Sequence, residues 1–251
     1  MFKNLLARVG VGAATVDTRL AASQVVPGDI IRGEVIVNGG AVAQQIEQIT
    51  LSLVTSFKHD DLYETHVLYA HTLGQSLELQ AGESRTYPFE FRIPYSTPLS
   101  LGHQQVSLRT SLDITSSVDP SDADALLVVP HPLMKRVLDT LDDLGFQLYS
   151  VESSYNRRMG WDVPFIQTLE FKPYGPYRQQ IEELELIFQL REGALDVWLE
   201  IDKRGRGLEV LFEDLDLNEQ HARFQVTEAD LNRGDWAESL ARIIEGRTGM
   251  R

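Results

Sequence analysis

The stretch Val26-Pro27-Gly28-Asp29-Ile30-Ile31-Arg32-Gly33-Glu34-Val35-Ile36-Val37 decides the fold class of this 251-residue chain. Pro27 presets φ, Gly28 supplies the positive φ of a tight turn, and the Val/Ile run fits a half-buried pleated surface. A second stretch, Tyr87-Pro88-Phe89-Glu90-Phe91-Arg92-Ile93-Pro94, puts Tyr87, Phe89, Phe91 and Ile93 on one face and Glu90 and Arg92 on the other. Together they predict an all-β binding module rather than an enzyme.

The same two-residue period extends outward as far as residue 129. Ile49, Leu51, Leu53, Thr55 and Phe57 alternate with Thr50, Ser52, Val54 and Ser56. Val106, Leu108, Thr110, Leu112 and Ile114 repeat the pattern. Asn38-Gly39-Gly40 and Ala81-Gly82-Glu83-Ser84 read as turns between the runs. About seven strands at this spacing imply a sandwich.

At Pro130-His131-Pro132 the period changes. Leu133, Met134, Val137, Leu138, Leu141 and Leu144 recur at helical spacing, which predicts a helix over about 132–144 with Pro132 in its first turn and Gly145 at its C-cap. The expected domains are residues 1–129 and 130–251, with a short proline-containing hinge between them. In the second domain, 163–171 reads as a strand. Leu184, Leu186, Phe188 and Leu190 form a hairpin with Leu195, Val197, Leu199 and Ile201 across Arg191-Glu192-Gly193. Leu208 to Leu217 reads as a loop or short helix. Trp236, Leu240, Ile243 and Ile244 predict a closing helix over about 235–246.

Composition narrows the functional classes. There is no cysteine, which excludes disulfides, thiolate metal sites and cysteine nucleophiles and fits a reducing compartment. The net charge is −14; residues 1–129 carry 8 basic against 14 acidic side chains, and residues 130–251 carry 15 against 23. Neither half has a basic footprint, so nucleic acid and anionic lipid are disfavoured partners. Arg8 interrupts the apolar N-terminal run, so a short packed helix is expected there rather than a signal peptide. No segment reaches the length of a membrane span, and a cytoplasmic location is expected.

Several segments together resemble one family. They are Gly12-Ala13-Ala14-Thr15-Val16-Asp17-Thr18, Gln44-Gln45-Ile46, Leu112-Asp113-Ile114, Val118-Asp119-Pro120, Pro130-His131-Pro132-Leu133, Leu144-Gly145-Phe146, Pro164-Phe165-Ile166-Gln167 and Arg206-Gly207-Leu208. With the Pro-Gly strand, they are similar to the bacterial sporulation-control proteins, an arrestin-like family. The resemblance implies a mainly β chain of two arrestin-like β-sandwiches. It also implies a non-enzymatic regulatory scaffold that binds other proteins, with no catalytic residue or cofactor to transfer.

The chemical candidates are sparse. His59-Asp60-Asp61, Glu64, His66 and His71 offer metal-ligand chemistry and support an alternative reading as a metal-dependent hydrolytic enzyme. The competing reading is a solvated hairpin loop. A trafficking-type cargo-binding protein is the third functional class. Ser121-Asp122-Ala123-Asp124 lacks calcium-loop spacing and reads as a turn. Glu182, Glu183 and Glu185 read as a solvated sheet face. No phosphate loop, dinucleotide fingerprint or Gly-x-Ser-x-Gly elbow is present.

The partner-binding candidates are therefore Lys203, Arg204 and Arg206, the dense basic spot of an acidic chain, together with Trp198, Tyr174 and Tyr177. The tyrosines flank a Pro/Gly-rich connection that serves either as a recognition surface or as a lid over a small core. A monomer or weak homodimer is the expected state.

Overall fold

The computed structural model describes residues 13–115, 119–157, 159, 161–203 and 221–248. The chain divides into two compact units. One is Met1–Ser56, Tyr63–Ser100 and Gln105–Val129; the other is Phe57–Leu62, Leu101–Gln104 and Pro130–Arg251.

The first unit is a sandwich of two mainly antiparallel sheets. One sheet comprises β1 (Thr15–Leu20), β3 (Ile30–Asn38) and β6 (Ser84–Arg92). The other has β4 (Gln44–His59), β5 (Leu62–Leu79), β7 (Val106–Ile114) and β8 (Ser121–Val128), with the short β2 (Gln24–Val25) parallel to β8. The two stretches that decide the fold class pair with each other, in the register Ile31↔Phe91, Gly33↔Phe89 and Val35↔Tyr87.

The Pro-Gly turn closes as expected. Asp29 N–H donates to Val26 O at 3.1 Å, and Gly28 has φ +94°. Gly28 N–H also reaches Ile93 O at 2.9 Å, and a Cβ on Gly28 would lie 2.4 Å from the Tyr95 ring. The turn is therefore clamped to the far end of β6. Val35, Val37, Ile49, Leu51, Leu53, Leu108 and Leu112 are buried between the sheets. A buried hydroxyl pair, Thr18 and Thr110 at 2.7 Å, links the two layers.

Ser121–Asp124, expected as a turn, instead opens strand β8. Asp122 Oδ2 accepts the Thr18 N–H at 2.7 Å, so a carboxylate on the inward face satisfies a backbone donor of β1.

In the second unit the described strands run β13-β12-β11-β10-β9, all antiparallel. They are β9 (Phe146–Tyr155), β10 (Phe165–Pro173), β11 (Ile181–Arg191), β12 (Ala194–Lys203) and β13 (His221–Thr227). The hairpin β11–β12 closes at Glu192-Gly193, with Gly193 at φ +73°.

Helix α1 (Pro132–Asp143) carries proline in its first turn and buries Leu133, Met134, Val137 and Leu141. His131 Nδ1 accepts the Leu133 N–H at 3.3 Å as the N-cap contact. A one-turn helix α2 (Glu228–Leu231) precedes α3 (Trp236–Thr248), which buries Trp236, Leu240 and Ile244. Both α1 and α3 pack on the sheet, so Leu184, Leu186, Val197, Leu199 and Ile201 are fully enclosed. The segment Leu208 to Leu217 lies outside the described residues.

Candidate functional site

The partner-binding candidates are placed differently from one another. Tyr174 is 56% exposed, and its hydroxyl donates to Asp142 O at 2.9 Å. Tyr177 is 5% exposed, stacks on Phe146 with ring centroids 5.1 Å apart, and hydrogen-bonds Glu245 at 3.2 Å. Its phenol is pushed up by burial and by the Glu245 carboxylate. Tyr177 is thus a buried packing residue of the turn Pro176–Gln179, whereas Tyr174 is exposed.

Trp198 is half-buried on β12. Trp161 tilts against it at 5.5 Å and the Arg223 guanidinium lies 4.8 Å from its ring, so the expected open aromatic face is partly covered. Lys203 ends β12; Arg204 and Arg206 lie outside the described residues.

The histidine segment spans the β4–β5 hairpin. Asp60 takes φ +53° in its turn, a conformation that short polar side chains tolerate. His59 stacks on Tyr155 at 4.0 Å, and burial holds the His66 imidazole below its usual range. Among the described residues these side chains do not bring ligand atoms together as a metal group. Alternation along a strand disperses them.

The carboxylates that do converge lie on the sheet of the second unit. Glu170 on β10 is directly opposite Glu185 on β11, and Glu185 is directly opposite Glu200 on β12. Glu183 faces Asp202 in the next register position. Ligand oxygens of Glu170, Glu183 and Glu185 lie within 4.8 Å of one another. The expectation of a solvated face holds for the exposed Glu182 and fails for Glu185, which is 5% exposed; Glu200 opposite it is 8% exposed.

Burial pushes the Glu185 carboxyl up to about 8, with the Glu200, Glu183 and Glu170 carboxylates adding to the shift. Burial also raises Asp202, reinforced by Glu183 and Glu182. Among the described residues a counter-charge in the row is Lys172, whose ammonium contacts Glu183 Oε2. Burial works against the Lys172 charge, but the hydrogen bond to Glu183 and the surrounding carboxylates outweigh it and raise its pKa. The signal in the sequence was the spacing Glu183-x-Glu185, which puts both on one face; the register that adds Glu170 and Glu200 was not visible.

A different kind of surface occurs on β5 in the first unit. Among the described residues this 18-residue strand pairs only with β4. Tyr63 is 75% exposed and Val67 50%, and with Thr65 between them they share one face.

The SpoOM protein family model matches residues 2–205. The chain belongs to the SpoOM family. It is 36% identical over 250 residues to the sporulation-control protein spo0M of Bacillus subtilis strain 168, covering 97% of this chain and 96% of that protein. The crystal structure of Spo0M from Bacillus subtilis superposes with a TM-score of 0.86 at 35% identity, covering 94% of this chain and all of that one. The arrestin-like fold expected from the sequence is the fold of this SpoOM-family chain. Among the described residues no helix is long and apolar enough to cross a membrane.

Proposed function

We propose that this SpoOM-family chain is a regulatory scaffold without an enzymatic step of its own, acting by binding an extended segment of another protein. The observation that carries the reading is the long β5 edge with Tyr63 and Val67 exposed beside it. An edge strand presents unpaired backbone donors and acceptors, and strand addition satisfies them while flanking side chains choose the partner. The sporulation-control name of the Bacillus subtilis relative supports a regulatory role. The protein works in the cytoplasm as a monomer or weak homodimer, and its functional modules are residues 1–129 and 130–251. Arg204 and Arg206 contribute by steering an acidic partner.

The test has two stages. A partner is captured from the native cell, and its purified form is titrated against the wild type, Tyr63→Lys/Val67→Lys and an Arg204→Glu/Arg206→Glu variant. The edge lysines are expected to weaken binding about tenfold or more, as charged side chains protect natural edges from pairing. Charge reversal is expected to weaken binding mainly at low salt. Unchanged affinity in the lysine variant refutes the edge reading.

A further inference from the structure

We propose that Glu170, Glu183 and Glu185 form a binding site for one hard divalent cation of the calcium class. The site is independent of the β5 edge and of the protein-binding reading.

Three observations support it. First, adjacent strands place carboxylates directly opposite one another, Glu170↔Glu185↔Glu200, with Glu183↔Asp202 alongside. Like charges in opposed register positions destabilise a sheet unless something neutralises them. Second, among the described residues the ammonium of Lys172 meets the cluster, and it is engaged with Glu183 Oε2. Third, Glu185 is 5% exposed, and its Oε2 is buried with no hydrogen-bond partner among the described residues. An acceptor in that position costs free energy unless a proton or a cation reaches it.

The donor set selects the ion. It is all carboxylate oxygen, with neither sulfur nor imidazole, and so favours hard cations over zinc or copper. Oxygens spread within 4.8 Å fit across a calcium ion, whose ligands sit at about 2.3–2.6 Å. Magnesium, at about 2.0–2.1 Å, requires the three side chains to contract and holds its own water more firmly. Glu183 offers its second oxygen to the ion while Oε2 stays with Lys172.

The test uses the full chain stripped with EDTA and titrated with CaCl2 by calorimetry in about 0.15 M KCl, where diffuse attraction to the acidic surface is screened. The wild type is expected to show one saturable site and a rise in melting temperature with added Ca²⁺. Glu185→Gln and Glu170→Gln each lower the affinity about tenfold or more, while Glu192→Gln at the exposed hairpin tip leaves it unchanged. Glu185→Gln removes a charge that the fold disfavours, so the metal-free variant melts at or above the wild-type temperature and remains a valid probe. Absence of saturable heat and of any melting shift up to about 10 mM Ca²⁺ overturns the site. So does unchanged affinity in both Gln variants. Magnesium binding as tight as calcium overturns the choice of ion.

Discussion

Replacing Gly145 by alanine tests how the second unit holds the C-terminal end of α1. Gly145 has φ +90°, and a Cβ there would lie 2.9 Å from Gly175 Cα and 3.1 Å from Gly175 N. The two backbones are also joined by Tyr174 N–H to Gly145 O at 2.8 Å. The left-handed conformation alone costs alanine about 1–2 kcal/mol. Backbone has no far end to swing away, so the contact adds an overpacking cost of about 1–3 kcal/mol.

Gly193→Ala separates these contributions. Gly193 has φ +73°, but its Cβ would meet nothing within 4 Å, so only the conformational cost applies. At about 2–4 °C per kcal/mol for a chain of this length, Gly145→Ala should lower the melting temperature by about 4–20 °C and Gly193→Ala by about 2–8 °C. Thermal unfolding followed by circular dichroism measures both. Equal losses in the two variants would refute the close-packing argument.

Tyr177→Ala should cost about 3–5 kcal/mol, because its ring is buried against Phe146, whereas the exposed Tyr174→Ala should cost about 1 kcal/mol or less; urea titration distinguishes them. Asp124 is raised by burial and by the nearby Asp122 and Asp17 carboxylates. Its contribution to stability is therefore complete below the unfolded aspartate pKa and is lost as pH rises through the folded value. Asp124→Asn should be more stable than wild type at pH 7, with the gain disappearing below about pH 4; melting curves across pH check this. Arg223→Ala removes the guanidinium facing Trp198 and should cost about 0.5–1 kcal/mol while changing the near-ultraviolet dichroism of the tryptophan pair.

Local signals were legible where backbone chemistry and periodicity act at short range. Pro27-Gly28 could only be a turn before a strand. The spacing from Leu133 to Leu141 could only bury one helix face, and Glu192-Gly193 closes the predicted hairpin. Other elements were missed for identifiable reasons. Strand β9 has an irregular burial pattern, and β13 alternates Ala222, Phe224 and Val226 with Arg223 and Gln225 over too short a run to stand out. Asp122 and Asp124 look like turn residues until β1 supplies the donor that makes one of them an interior acceptor. Tyr177 looks like a surface aromatic until Phe146, thirty-one residues earlier, packs beneath it.

The sequence by itself determined the β class, the helix at Pro132 and the absence of cysteine chemistry, because each depends on residue type and spacing along the chain. Only the tertiary structure decided that the two opening stretches pair with each other, since register between strands sixty residues apart is set by cross-strand packing. The same holds for the carboxylate row. Glu170, Glu185 and Glu200 are ordinary strand glutamates in the chain, and strand pairing alone brings them into opposed positions where burial and mutual repulsion change their chemistry.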